Sequence, residues 1–362
     1  MRSEQKKLEF DVYPSKRKEI DQIVDLIQGF DYPFGRDHFE WKYFECPWSS
    51  VSISAKMKGK IIGQLGYIIR PYVVKGKQML LCLSADAIVN KDLRKMGIYT
   101  GLHTLARDEA IKKKVRYNIA FPNKNTYQAG QKAGYSNMGW IPVYLKVLRM
   151  DNVLKAIGKP GLKPFAGFAK KAMFRSKNPN ISSSIKTKVV KKLPPEVDGL
   201  WDDVLKDPAR KFKNIGLRTY EFLDWRFNNC PDRDYKFIIA TEKSGKLKGY
   251  TILLEASVEG LKEGVIVDIF HRPRDQETCT ALVSRAAEIF SKSDLDIIGF
   301  LWSDTPSCIP DCLRSFGFKR FVKRFNPRPW PVFLRETRLK PIRPDLLDPK
   351  NWYLSWADCD VF

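Results

Sequence analysis

No stretch of this 362-residue sequence approaches the roughly 18 uninterrupted apolar residues of a membrane-spanning helix, so no such helix is expected. The amino-terminal end lacks the apolar core of a signal peptide. Charged Met1–Lys7 leads into Leu8-Glu9-Phe10-Asp11-Val12, and a cytoplasmic chain is the expectation. Cysteine offers no framework: seven residues, an odd number, are scattered without disulfide spacing and read as reduced thiols. Cys308-x3-Cys312 looks like half a zinc site, but no second Cys or His pair accompanies it in sequence, so no metal is expected. Acidic residues are in deficit, 41 against 64 lysines and arginines, and the resulting net charge of +23 suggests an anionic partner. Nucleic acid, a membrane surface and a phosphorylated small molecule all meet that description. Charge does not choose among them.

What is present is a phrase used twice. Trp41-Lys42-Tyr43-Phe44-Glu45-Cys46-Pro47 recurs as Trp225-Arg226-Phe227-Asn228-Asn229-Cys230-Pro231. Each copy leads to a glycine turn, Lys58-Gly59 and Ser244-Gly245, and each half closes on a glycine–aromatic corner, Gly134-Tyr135 and Gly317-Phe318. With 362 residues and 43% hydrophobic content, two domains of about 150 residues can each bury a core.

Ile20, Ile23, Val24 and Ile27 predict a helix over 19–30, ahead of strands at Val51–Ala55, Ile61–Ile69 and Met79–Val89. A helix from Ile98 to the lysine run 112–114, a strand at Tyr117–Phe121, a short helix at Thr126–Ala133 and a closing strand at Val143–Arg149 follow. The second half repeats the order, with helices at Pro195–Val204 and Thr280–Phe290 and strands at Tyr235–Ala240, Tyr250–Leu254, Val265–Phe270 and Ile297–Trp302. The expected fold class is α/β, in the α+β mixed-sheet sense: two domains, each a mixed, mostly antiparallel sheet flanked by helices. The expected boundaries are 1–150 for the first domain, 151–192 for a basic linker, 193–335 for a degenerate second domain and 336–362 for a tail. The linker holds eleven Lys/Arg against the single acid Asp151, with a helix expected over Ala166–Phe174. It reads as a solvated connector or as a segment lying on an anionic membrane surface, since Phe165, Phe168, Met173 and Phe174 sit among Lys170, Lys171 and Arg175.

Only the first half carries Arg94-Lys95-Met96-Gly97-Ile98-Tyr99 between a strand and a helix. The first amides of a helix lack intrahelical acceptors, and its dipole favours negative charge there, so such a turn is an anion site. Arg94 and Lys95 add full charges, and Gly97 lets backbone and phosphate approach. The counterpart in the second half, His271-Arg272-Pro273-Arg274-Asp275-Gln276-Glu277-Thr278-Cys279, contains no glycine. That copy therefore reads as structural or substrate-shaping.

A strand ending at Val89 that runs into Arg94-x-x-Gly97, then Phe121-Pro122-Asn123-Lys124-Asn125-Thr126-Tyr127 and the Gly134-Tyr135 corner, resembles the GNAT superfamily of acyl-CoA-dependent N-acyltransferases. The resemblance is specific over residues 40–135 and diffuse over 195–335. The Trp-rich phrases and the ending Asn351-Trp352-Tyr353-Leu354-Ser355-Trp356-Ala357-Asp358 are similar to bacterial tandem GNAT proteins, some associated with surface-polysaccharide synthesis. The sequence departs from the family pattern at Tyr99, where a Gly or Ala is usual, and at Gly130, where the family places a tyrosine.

The resemblance implies an acyl-CoA site. Backbone groups of Ala87, Ile88 and Val89 pair the pantetheine arm as an added strand, and an N–H there stabilises the thioester oxyanion. Arg94, Lys95, Met96, Gly97, Ile98 and Tyr99 hold the pyrophosphate, and Asn123 or Asn125 touches the cofactor beyond the next strand. Direct attack by an amine in a ternary complex, with acetyl-CoA as donor, is the implied reaction. It needs a base to make the amine neutral. Asp86, expected on the strand face of Ser84 and Ile88, is the carboxylate placed for it; the plainer alternative is a structural hydrogen-bond partner. Tyr127 substitutes for the missing tyrosine as acid for the leaving thiolate, against simple packing. His103 reads as an ordinary helix residue, and Cys82, without a His partner, is not an expected nucleophile. The expected acceptor is a small primary amine, of an amino sugar or nucleotide-linked sugar, with a phosphate to suit the charge. Two other readings stay open. One is a Fem-type aminoacyltransferase fed by aminoacyl-tRNA, which the charge favours and Arg94-x-x-Gly97 disfavours. The other is a non-catalytic protein docked at the inner membrane surface through residues 151–192.

Overall fold

The computed structural model describes residues 9–361 apart from 31–33, 160, 162–166, 168–170, 172–173, 178, 180 and 322–329. The first half opens with β1 (Asp11–Pro14), α1 (Ile20–Gln28) and α2 (Arg36–Tyr43). A meander of β2 (Val51–Met57), β3 (Lys60–Val74) and β4 (Lys77–Val89) follows. Its hairpins turn on Lys58-Gly59 and Lys75-Gly76, each with both residues at positive φ, the two-residue geometry that matches strand twist. Helix α3 (Ile98–Lys112) crosses back to β5 (Tyr117–Ala120), which lies parallel to β4. Then come α4 (Tyr127–Lys132), β6 (Ser136–Ile141), β7 (Val143–Val147) and α5 (Met150–Ala156).

The second half repeats this plan. It runs through β8 (Ile185–Val190), α6 (Val197–Lys206), β9 (Asn214–Gly216) and α7 (Tyr220–Leu223) into the meander β10 (Lys236–Glu242), β11 (Leu247–Val258) and β12 (Leu261–His271). Helix α8 (Gln276–Ser291) crosses to β13 (Ile297–Leu301), parallel to β12, before α9 (Ile309–Ser315), β14 (Lys319–Phe321), β15 (Trp330–Glu336) and β16 (Trp352–Tyr353). These are two mixed sheets flanked by helices, the expected fold class. The strand β8 lies within the segment read as linker. The helix expected over Ala166–Phe174 lies largely outside the described residues.

Sequence order does not predict how the sheets are completed. The first sheet runs β1-β2-β3-β4-β5-β15-β6, and the second β14-β7-β13-β12-β11-β10-β8. Strand β7 therefore leaves its own half and pairs with β13, Leu145 facing Gly299. Strand β15 makes the reverse journey and inserts between β5 and β6. The strand read as closing the first half thus closes the second.

The repeated phrase meets itself across this exchange. Trp41 and Trp225 stack with ring centroids 5.1 Å apart, and each indole N–H donates to the other's backbone carbonyl, at 2.9 and 3.4 Å. Strand β3 is buried along almost its whole length because both faces are covered. Ile68 and Tyr72 join the core shared with α1, α2 and the second half, while Leu65, Tyr67 and Ile69 join a second core under α3, the alternation a strand imposes. The tail is core as well: Trp352, Leu354, Trp356 and Cys359 are buried between the halves.

Candidate active site

β4 pairs with β5 only from Leu81–Tyr117 to Ser84–Ala120. β5 ends there, while β4 continues to Val89 along β3. Residues 85–89 therefore present one backbone edge without a strand partner among the described residues, the kind of edge an extended ligand can join. In the middle of this edge the register slips. Ala85 faces Gly66, but Ile88 faces Gln64, so Asp86 and Ala87 together oppose Leu65. This is a β-bulge, and Asp86 sits at its turn with φ 49°.

The bulge corrects one expectation. Regular alternation puts Ser84, Asp86 and Ile88 on one face, but the extra residue resets the period. Ile88 packs into the core shared with α1 and α2, whereas Cys82, in phase with Ser84, belongs to the core under α3. The Asp86 carboxylate turns towards α2. Its Oδ2 accepts from Tyr43 Oη at 2.6 Å and meets Lys42 Nζ at 2.9 Å. Lys42 also donates to Asp360 Oδ2 of the tail at 3.2 Å. Burial opposes charge on Lys42, but Asp86 and Asp360 more than offset it and raise its pKa. Tyr43 is held well above its ordinary value by burial and by Asp86. Lys42 and Tyr43 belong to the repeated phrase, yet sequence reasoning named neither as a site residue. Only the fold brings α2 against the bulge.

Downstream of β4 the chain makes a single 3-10 turn over Lys91–Leu93, capped by the Asn90 side chain accepting from Asp92 N. Lys95 and Gly97 both have positive φ, 68° and 85°, and Gly97 is the N-cap of α3. Arg94, Lys95, Met96 and Gly97 are exposed, and no atom lies within 4 Å of where a Gly97 Cβ would stand. Lys91 and Arg94 approach the Phe30 ring from α1's end, at 5.2 and 5.8 Å. The open strand edge, the exposed cations Lys91 and Arg94 and the start of α3, which no side chain caps, follow one another along the chain and bring an exposed surface with them. That surface suits a flexible ligand with a phosphorylated end.

Tyr99 does not project into it: its ring packs against His103, with centroids 4.4 Å apart. His103 is far from ordinary. Its Nδ1 lies 2.9 Å from Tyr67 Oη, and its buried Nε2 has no hydrogen-bond partner among the described residues. Burial, with Arg335 nearby, pulls its pKa down to about 3, so the ring is neutral. Arg335 reaches this cluster from the exchanged strand β15, donating to Tyr67 Oη at 2.7 Å and lying over the Tyr135 ring at 4.4 Å.

Tyr127 starts α4, stacks on Trp140 at 5.7 Å and packs on Phe333 at 4.9 Å. Its hydroxyl accepts from Asn137 Nδ2 at 3.0 Å. These partners lie on β6 and β15, on the side of β5 away from β4. Gly130 is explained by the same strand, since a Cβ there would come within 3.0 Å of the Phe333 ring. Asn123 shapes its own turn, its side chain accepting from the amides of Asn125 and Thr126 at 2.9 and 3.1 Å. Asn125 is exposed beside it. Asp268, the second-half counterpart of Asp86, is fully buried and paired with Arg218 at 2.8 Å.

No known protein-family profile and no curated protein sequence matches the chain. Solved structures do. A tandem GNAT protein from the clavulanic acid biosynthesis pathway is 13% identical, with TM-score 0.58 over 92% of this chain and 100% of that one. The fold is the tandem GNAT fold. A GCN5-related N-acetyltransferase from Anabaena variabilis superposes with TM-score 0.63 at 14% identity, over 91% of this chain and 73% of that one. The N-myristoyltransferase of Saccharomyces cerevisiae, solved with bound myristoyl-CoA, gives TM-score 0.58 at 13% identity over 90% and 82%. At such identities the tandem GNAT likeness speaks for architecture, and chemistry has to be argued from the residues.

Proposed function

We propose that this protein is an N-acyltransferase that moves an acyl group, acetyl in the first instance, from acyl-CoA to a primary amine. The observation that carries the proposal is the free edge of β4 over 85–89, bulged at Asp86 and running into the exposed turn Arg94–Gly97 ahead of α3. The residues suit the donor. Ala87, Ile88 and Val89 offer backbone groups to its amide-bearing arm. Arg94, Lys95, Met96, Gly97, Ile98 and Tyr99 offer charges and amides to its pyrophosphate. Asn123 and Asn125 flank it past β5.

Asp86 is the proposed base. An amine must lose a proton before it attacks a thioester, and Asp86 is the carboxylate at the bulge of the strand edge on which the donor is proposed to lie. Lys42 bridges the carboxylates of Asp86 and Asp360. Tyr43 holds the carboxylate in place. Tyr127 is the proposed acid for the leaving thiolate, acting through water because its partners lie across β5 from the β4 edge; Asn137 donates to its oxygen. The acceptor is proposed as a small amine, of an amino sugar or nucleotide-linked sugar, whose phosphate suits the charge of +23. An acceptor of this class is the one implied by the resemblance to polysaccharide-associated tandem GNAT proteins.

Calorimetric titration with acetyl-CoA tests the donor site. Micromolar binding that disappears in an Arg94→Ala/Gly97→Val variant supports the reading. Absence of binding in folded wild type overturns it and turns attention to aminoacyl-tRNA, for which co-purifying nucleic acid absorbance is the first sign. With an amine panel and thiol release as readout, Asp86→Asn should lower kcat by about 100-fold or more while leaving acetyl-CoA affinity in place.

A further inference from the structure

In sequence, Cys308 and Cys312 stand without a second ligand pair, and the fold brings partners to one of them. Strands β12 and β13 pair only from Glu263–Ile297 to Ile266–Phe300, and β12 runs on to His271, just as β4 outruns β5 in the first half. Beside this free end lies a cavity of about 390 Å3 walled by His271, Cys308, Trp302 and Tyr353, with Lys211 and Arg274 also on its wall. Cys279, fully buried in the first turn of α8, lies behind that wall. Its sulfur, the Cys308 sulfur and a His271 ring nitrogen all lie within 4.8 Å of one another.

The imidazole is already oriented for a ligand. His271 Nδ1 is 2.8 Å from the Arg272 carbonyl oxygen. A carbonyl only accepts, so the proton of the neutral ring sits on Nδ1 and Nε2 keeps its lone pair. That nitrogen lies 3.9 Å from Cys308 Sγ. A backbone acceptor on one ring nitrogen and soft donors facing the other is the arrangement that supports a metal-binding histidine. Zinc bonds of about 2.3 Å to sulfur and about 2.0 Å to nitrogen put tetrahedral donor atoms roughly 3.5–3.8 Å apart. The three groups therefore need to draw together by about 1.3 Å at most. Two thiolates would also neutralise a divalent cation, which matters where Cys279 has no contact with solvent.

We propose that His271, Cys279 and Cys308 hold a zinc-class divalent cation whose fourth position opens into the cavity. Binding takes both cysteines as thiolates, and a proton still carried by either thiol leaves to solvent. Two sulfurs and an imidazole select zinc over magnesium or calcium. Cys312, whose sulfur meets Thr280 Oγ1 at 3.8 Å, lies outside the group of donor atoms that fall within 4.8 Å of one another. The second half, which lost the glycine of the anion turn, carries in its place a soft-metal site at the same position in the topology.

The test uses the full chain, reduced and stripped with chelator, titrated with Co2+ and then Zn2+. The expected result is one equivalent of cobalt with intense visible bands of a tetrahedral ion and sulfur-to-metal charge transfer, displaced by zinc. Cys279→Ser and Cys308→Ser, checked for folding by circular dichroism, should each bind about 100-fold more weakly or worse. Cys230→Ser should bind as wild type; it probes the other grouping of possible ligands, His38, Cys230 and Asp232. Failure of folded wild type to bind one equivalent overturns the proposal, as does loss of binding in Cys230→Ser with retention in Cys308→Ser. Alkylation of Cys308 by iodoacetamide that zinc does not slow marks a metal-free reactive thiol and overturns it too.

Discussion

A methyl group at position 66 would sit 1.9 Å from Tyr43 Oη, so the hydrogen bond from Tyr43 to Asp86 exists only because residue 66 is glycine. Gly66→Ala should expel the Tyr43 ring from its place beside the bulge and destabilise the protein by about 1–3 kcal/mol, read as a lower urea midpoint. His103 gives a second residue-scale prediction, for pH. Its folded pKa is down at about 3, whereas an unfolded histidine titrates near 6.5. Between those values the unfolded chain binds a proton that the folded chain refuses. The stabilisation is complete above about pH 6.5 and is lost progressively as pH falls towards 3, with a slope of about 1.4 kcal/mol per pH unit. Urea midpoints measured from pH 7 to pH 4 should fall, and His103→Gln should flatten the dependence. None of this is legible in the sequence, where His103 is a helix residue with no acid near it. The low pKa comes from burial beneath α3 and from Arg335, 232 residues away in the chain.

At the scale of elements, the strand–turn–helix around Arg94–Gly97 reads well from sequence because it is local. Arg94 to Gly97, the strand before it and the helix after it need only the neighbouring residues to declare themselves, and α1, β2 to β5 and α3 fall close to their expected bounds. The exchanged strands do not read this way. Val143–Val147 has the alternation of a strand in either sheet, and which sheet it joins depends on where β13 and β15 come to lie. Without β15 the first sheet loses the strand between β5 and β6, along with Arg335 and Phe333. A fragment ending at residue 192 should therefore fail to fold by itself, giving weak near-ultraviolet circular dichroism where the full chain gives a strong signal. A natively packed fragment would show that β15 is dispensable.

At the scale of the whole molecule, one buried ionic network ties both halves and the tail together. Arg218 donates to Asp268 at 2.8 Å and to Asp358 at 2.7 Å, Ser355 donates to Asp268 at 2.7 Å, and Arg70 of the first half donates to the backbone oxygens of Ala357 and Asp358. Removing the arginine leaves Asp268 buried without its cation and Asp358 with only the 3.5 Å contact to Arg70. Arg218→Met should cost about 3–5 kcal/mol and should destabilise both halves, seen as one shifted transition rather than two separate ones. The tail also supplies Asp360 to Lys42, so the same packing that closes the molecule reaches the proposed base.

The sequence by itself determined the duplication, the fold class and the turn between β4 and α3. Composition, alternation and glycine placement act over a few residues, and a repeated phrase is visible without knowing where its copies go. Tertiary structure alone decided that the two phrases meet at Trp41 and Trp225, that each half completes the other's sheet, and that Asp86 turns to Lys42 and Tyr43 instead of following its strand's alternation. A bulge depends on register against β3, an exchanged strand on the docking of two sheets, and a buried ion pair on charges that become neighbours only when distant segments pack. Those are long-range consequences of closing one core, and no local pattern encodes them.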